Sequence, residues 1–374
     1  MYQNIDAYID RLISGSSPEA PLWNIESIKG GKPPHWNYID GCMITSLLEI
    51  GRITGDAKYF SFAESFVDYY VRADGSILGY DIEKFNLDDV NEGRVLFELY
   101  AKTGKEKYLR AIHLQAEHLR RQPRTSTGNF WHKAIYPNQI WLDGLYMAQV
   151  FATLHARELG GGDYSDVLMQ IRNVAKYMRD PVSGLYYHGM DCSRTVFWAD
   201  RETGLSRNFW LRSIGWFTVA LVDIIEICTD PATVREISEI FRDLTSSLLP
   251  YRDSASGMYW QVVDRPGDRG NYLETSGSCM IAYAMLKGAR LGVLSPDYAS
   301  LGKATFDGVC DKYLTAEGGE LNLGGICLVA GLGPAGNTRR DGSYEYYVSE
   351  PIVENDAKGV APFILAYTEI LRGR

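Results

Sequence analysis

Apolar positions recur at i, i+3, i+4 and i+7 through most of this chain, the repeat of a helix with one buried face. Twelve segments follow it: 2–14, 38–53, 57–72, 88–103, 105–120, 140–158, 164–179, 211–228, 232–249, 273–291, 297–314 and 356–372. The segments differ in kind. Those at 38–53, 140–158, 211–228, 273–291 and 356–372 are apolar and rich in small residues, whereas 105–120, 164–179 and 232–249 carry charge along one face. A helix that is apolar all round must be buried, and an amphipathic one covers it. Six inner and six outer helices of this sort predict an all-α fold, an (α/α)6 barrel. Breaks such as Thr54-Gly55-Asp56 and Thr103-Gly104-Lys105 put a glycine near a helix C-terminus and join neighbours into hairpins. No Pro/Ser-rich linker divides the chain, so residues 1–374 read as one domain.

The inner segments share an opening in which a polar residue is followed by a glycine. The pairs are Asp40-Gly41, Asp88 to Gly93, Asp143-Gly144, Arg212 to Gly215, Glu274 to Gly277 and Asp356 to Gly359. Their starts would line one mouth of the barrel. The longest non-helical stretches are 73–87, 121–139, 180–210, 250–272 and 315–355. Loops of that length tend to carry function. Within the last, Ile326–Ala330 and Tyr344–Val348 read as short strands.

Composition narrows the partners. The 374 residues are 45% hydrophobic and 23% charged, the profile of a globular protein, with a net charge of -9 and dispersed Lys and Arg. That balance argues against nucleic acid and anionic membranes, while a local cationic pocket would still admit a small anion. No apolar run is long enough to span a bilayer. Met1 to Asp6 has neither the basic nor the apolar part of a signal peptide, so a cytoplasmic setting is expected. The six cysteines form no CxxC pair and read as buried thiols. No HExxH, Cys/His cluster or calcium loop appears, and neither a metal nor a cofactor is expected. Gly331 to Gly336 matches GxGxxG, but a turn follows it instead of a helix, so it reads as a glycine loop over the barrel mouth.

One stretch concentrates candidate chemistry. Asp143 sits just inside the start of an apolar helix, with Trp131, Tyr136, Trp141 and Tyr146 around it in sequence and His132 shortly before it. A carboxyl group among aromatic walls is desolvated, which would raise its pKa toward that of a general acid. Aromatic faces with a few polar groups also suit a sugar ring. Asp88 opens another inner segment. For both aspartates the plain structural role is a helix N-cap. Against that stand His132, Trp141, His188, Trp210, Arg212 and Trp216, which recur near the starts of inner helices. An Arg flanked by Trp suits bidentate carboxylate recognition, though most arginines are simply solvated.

These residues resemble the unsaturated rhamnogalacturonyl hydrolases of glycoside hydrolase family 105. The matching stretches are Leu87 to Arg94, Tyr136 to Met147, Gly184 to Asp200, Trp210 to Trp216, Gly270 to Met280 and Asp341 to Gly359. They span most of the chain in family order. The resemblance implies an (α/α)6 barrel that removes a 4,5-unsaturated uronic acid from the non-reducing end of lyase-generated pectin fragments by hydrating its double bond. By the same resemblance Asp143 is the general acid/base and Asp88 a second acidic residue that holds sugar hydroxyls or positions water. His132 and His188 face the unsaturated sugar, and Arg212 lies near its carboxylate. Trp141, Trp210 and Trp216 supply stacking walls, and Tyr38 and Lys133 fall in the same substrate-binding set.

Three other readings stay open. One is an unsaturated glucuronyl hydrolase of family 88 acting on glycosaminoglycan or ulvan fragments. Another is a sugar epimerase on a similar barrel, and the last a non-catalytic sugar-binding protein. The first keeps the chemistry and changes the aglycone; an epimerase would work through histidine bases; a binder would have no need of Asp143. Neither the aglycone nor the oligomeric state is written in the sequence.

Overall fold

A computed structural model describes residues 4–317 and 320–373. Among the described residues, six inner and six outer helical segments run round a closed ring. The inner layer comprises Tyr38–Thr54, Asp88–Asn91 with Arg94–Thr103, Leu142–Gly144 running through a π-helical turn Leu145–Gln149 into Val150–Glu158, Leu211–Ile227, Thr275–Arg290 and Ala357–Arg372. The outer layer comprises Ile5–Ser14, Ala57–Tyr70, Glu106–Arg121, Ser165–Tyr177, Pro231–Leu248 and Asp297–Tyr313. The last inner helix packs on the first and closes the ring.

The sequence pattern explains the two layers. In Leu211–Ile227 every residue from Leu211 to Ile225 is buried, polar Thr218 and Asp223 included. In Pro231–Leu248 burial falls on Thr233, Ile237, Ser238, Phe241, Leu244, Thr245 and Leu248, one stripe at helical spacing. Each fully buried Leu, Ile or Phe contributes about 1.5–3 kcal/mol by leaving water. Gly288 of the inner Thr275–Arg290 helix lets that stripe approach, since a Cβ there would stand 2.7 Å from the Phe241 ring. The helix starts are capped as their sequences suggest: Asn37 accepts from Ile39 N, and Asp230, with Pro231 after it, accepts from Thr233 N.

The structure departs from the sequence expectation in five places. The 88–103 segment breaks between Asn91 and Arg94. The 140–158 segment begins as a strand, Gln139–Trp141, paired antiparallel with Gly189–Asp191. A helix at Ile25–Gly30 was not foreseen; Asn24 caps it through Ser27 N. The run Tyr344–Val348 is helical instead of extended: Ser343 accepts from Tyr346 N and starts the helix Tyr344–Ser349. The other expected strand shortens to Ile326–Cys327, paired with Ile352–Val353.

Charge holds the middle of the barrel. Asp223 is buried between Arg94 at 2.8 Å, Lys287 at 2.7 Å and the Tyr283 hydroxyl at 2.8 Å. Burial pushes this carboxyl up, but the Lys287 and Arg94 charges outweigh it and bring it down to about 2. Arg94 lies 5.0 Å over the Tyr146 ring, and Tyr146 stacks on Trp216 at 4.6 Å. Away from the inner-helix N-termini lies a cavity of roughly 560 Å3, where Arg52 pairs with Glu98 and Arg372 with Glu49.

Removing Asp223 would leave two cations buried without their shared anion. Asp223→Ala should therefore lower unfolding stability by about 3–5 kcal/mol. Urea unfolding reads this directly, and a loss below about 1 kcal/mol would show that the cations find other partners.

Candidate active site

Backbone hydrogen bonds draw four separate segments to one mouth of the barrel. His132 N donates to Gln139 O at 3.0 Å, and Leu87 N donates to His132 O at 3.2 Å. Leu142 N donates to His188 O at 3.0 Å, extending the ribbon in which Trp141 pairs with Gly189. These bonds place Asp88 and Lys133 beside His132, and Asp143 opposite His188. Gly144 permits the approach, because a Cβ there would stand 3.2 Å from His132 Nδ1. Asn138, in left-handed backbone at φ 61, turns the chain into the ribbon.

Neither aspartate caps its helix. The cap position before Asp143 is Trp141, and the Asp88 amide is itself capped by Asn86 Oδ1 at 3.2 Å. Asp143 is buried, and its Oδ2 lies 3.2 Å from His188 Nε2. That is ion-pair distance without hydrogen-bond alignment, so both atoms stay unsatisfied. Such a pair is poised to bond something else. The other ring nitrogen, His188 Nδ1, meets the Tyr347 hydroxyl at 2.7 Å. Asp88 lies 2.5 Å from Lys133 Nζ and 3.6 Å from His132 Nε2.

The electrostatics correct one expectation. Burial does push the Asp143 carboxyl up, but the charges of His188, close beside it, and of His132 outweigh it, and the net direction is down. His132 is itself driven down to about 4, first by burial, with Asp88 opposing and Lys133 adding to it. Above that pH His132 is neutral, and the lowering of Asp143 rests on His188. Lys133 is disfavoured by burial, yet the Asp88 carboxylate raises it above its ordinary value. Asp89, one residue on, is pushed up to about 7 by burial and by the charge of Asp88.

The aromatic residues divide into two layers. Trp141 lies against the near-parallel rings of His132 and Tyr136 at 4.5 and 4.6 Å, with His188 edge-on at 5.3 Å. Trp210 is 1% exposed and stands behind His188 at 4.7 Å, its Nε1 donating to Gln261 Oε1. Trp216 is closed under Tyr146, with Tyr38 edge-on at 6.3 Å. Trp210 and Trp216 thus support the site from behind instead of forming open walls, because the first layer of rings covers them. Half-buried Tyr38 begins the first inner helix and lies within the fields of Glu26 and Asp88. Arg212 is also buried: it donates to Cys327 O, to Leu328 O at 3.4 Å and to Ser276 Oγ at 3.4 Å, under Trp210. Its guanidinium anchors the last loop to the barrel. Sequence reasoning missed Tyr347, which was hidden in a run read as a strand.

The model described as Glycosyl Hydrolase Family 88 matches residues 22–373. A solved glycoside hydrolase of family 105 from C. acetobutylicum is 37% identical, with 100% of each chain covered and a TM-score of 0.91. The unsaturated rhamnogalacturonyl hydrolase YesR of Bacillus subtilis is 28% identical over 266 residues, 68% of this chain and 72% of that one. The unsaturated glucuronyl hydrolase of Bacillus sp. GL1 shares the fold, with a TM-score of 0.65 at 15% identity over 90% of this chain and 87% of that one.

The His132 environment has a measurable consequence. In the folded protein this ring takes a proton at about 4, against 6.5 ordinarily, so the unfolded chain binds more protons between those values. Stability from His132 is therefore present above pH 6.5 and falls as pH drops toward 4, by up to about 3 kcal/mol. Urea midpoints at pH 7 and pH 4.5 should differ less in His132→Gln than in the parent. An unchanged difference would remove His132 from the acid response.

Proposed function

The chain belongs to the glycosyl hydrolase family 88 and family 105 group, and from that premise we propose that it removes a 4,5-unsaturated uronic acid from the non-reducing end of lyase-generated rhamnogalacturonan oligosaccharides. The buried Asp143–His188 pair, facing the Asp88–Lys133–His132 cluster across one mouth, is the observation that carries this reading.

In this reading Asp143 and His188 hold one proton between them. With His188 charged, the carboxylate form of Asp143 is favoured. An incoming uronate brings a like charge into a buried site, which raises Asp143 and moves the proton onto it. Asp143 then protonates C4 of the enol ether, and positive charge develops at C5 and the ring oxygen. The carboxylate left behind takes a proton from water as its oxygen bonds to C5. The resulting hemiketal opens to a C5 ketone, and the hemiacetal left at C1 releases the aglycone alcohol. The proton given to C4 is returned by the water, so Asp143 ends as it began. Asp88, held between Lys133 and His132, is placed to bind sugar hydroxyls or the water. The anomeric bond is never attacked directly, so the carboxylate-spacing rule of ordinary glycosidases does not apply.

The name of the Bacillus subtilis relative supports rhamnose as the aglycone. The glucuronyl hydrolase likeness, at 15% identity, supports the fold alone. We also place the enzyme in a reducing compartment, the cytoplasm, where its six unpaired cysteines, five of them buried, would remain thiols.

Incubation with an unsaturated rhamnogalacturonan disaccharide should abolish the ultraviolet absorbance of its conjugated double bond and release rhamnose. Loss of absorbance only with unsaturated chondroitin or ulvan disaccharides would keep the chemistry and change the substrate. Asp143→Asn should lower kcat by about 10²–10⁴-fold. Turnover within tenfold of the parent would remove Asp143 from its assigned role.

A further inference from the structure

Asp143 is one end of a longer line of contacts. From Asp143 Oδ2 it passes to His188 Nε2 at 3.2 Å, and from His188 Nδ1 to the Tyr347 hydroxyl at 2.7 Å. His188 and Tyr347 are both fully buried. The Tyr347 ring is clamped: it stacks on Trp210 with 15° between the planes, and its backbone carbonyl accepts from Gln261 Nε2 at 3.2 Å. Gln261 also accepts from Trp210 Nε1, so one side chain fixes both rings behind His188.

We propose that Tyr347 is a positioning residue for the reaction: its hydroxyl donates to His188 Nδ1 and so fixes the proton of the resting imidazole on Nε2, the nitrogen that faces Asp143. This rests on Asp143 being the acid/base group. A hydroxyl suits the task because it can donate or accept. It donates while the ring is neutral. When the ring gains a second proton, on Nδ1, the hydroxyl turns and accepts from it. Tyr347 keeps its own proton throughout: solvent supplies the second ring proton, the proton on His188 Nε2 then passes to Asp143 Oδ2, and the neutral ring left behind is protonated on Nδ1 with the Tyr347 hydroxyl accepting from it. Burial holds the Tyr347 hydroxyl well above its ordinary range, which keeps it neutral through this cycle. The charged and titratable groups around the line are few. Asp143 and His132 act on His188, while Tyr346, Asp341 and Cys327 surround Tyr347. Tyr346 has a separate role, since its hydroxyl accepts from Gly331 N of the glycine loop at 2.9 Å.

The test is Tyr347→Phe, which keeps the ring and removes the hydroxyl, with Tyr346→Phe as the comparison. Nitrogen-15 NMR of histidine-labelled protein reports the tautomer, and His188→Gln assigns its signals. The parent should show His188 protonated on Nε2, and Tyr347→Phe a mixture of tautomers. Kinetically, Tyr347→Phe should lose about 10–100-fold in kcat with little change in KM. The alkaline limb of its kcat/KM profile should move to lower pH, because the imidazolium has lost its acceptor. Tyr346→Phe should keep the parent tautomer and limbs. Two results would overturn the proposal: a resting parent protonated on Nδ1, or a Tyr347→Phe enzyme with parent tautomer, parent limbs and kcat within twofold. The tautomer is read without substrate, so it decides the point even where the Phe variant folds poorly. A parent inert on every unsaturated disaccharide would defeat the functional reading and leave the tautomer result standing by itself.

Discussion

A charge taken out of water must meet an answering charge or donor, and this barrel is organised around that requirement. Its inner helices are mostly apolar, yet several carry buried ionised groups. Asp223 is tolerated because Arg94, Lys287 and Tyr283 close on it from two other inner helices. Lys358, also fully buried, lies between Asp356 and Glu26. Breaking either arrangement would strand a charge in the core, so each one fixes how its helices sit against each other.

The mouth of the barrel obeys the same rule less completely. Asp88 is answered by Lys133 and His132, but Asp143 Oδ2 and His188 Nε2 stand close without a hydrogen bond, and His132 Nδ1 has no partner. Unsatisfied buried groups cost stability, and these three stand where a ligand's polar atoms would complete the set. Between this mouth and the ion cluster runs a column of rings: Arg94 over Tyr146, Tyr146 on Trp216, and Tyr38 edge-on to Trp216. The same rings that hold the site in place fill the axis of the fold.

Much of this was legible in the chain. The alternation of apolar and amphipathic segments located all twelve barrel helices, because a period of 3.6 is a local property of sequence. The aromatic stretch around Asp143 pointed to the site for the same reason. Failures came where a distant contact overrode the local pattern. Tyr344–Val348 has the aromatic and β-branched residues of a strand, yet Ser343 caps it into a helix whose Tyr347 reaches His188. A strand would have turned alternate residues to opposite faces and separated that pair. Asp143 was expected to be raised by its aromatic surroundings, and burial does act that way. The opposing charge came from His188, forty-five residues along the chain, which no window around Asp143 contains.

By itself, then, the sequence determined the helical periods, the caps, the two classes of helix and hence the barrel. It also determined which residue types stood ready for chemistry. Only the tertiary structure decided which of them meet. It brought His188 and Asp143 together through the ribbon 139–141 with 189–191, and Asp88 to His132 through one backbone bond. It buried Arg212 against loop carbonyls and set Trp210 and Trp216 behind the first layer of rings. The reason is physical: helix formation is a local matter, but the protonation of a carboxyl group and the openness of a ring depend on whatever else the closed barrel packs beside them.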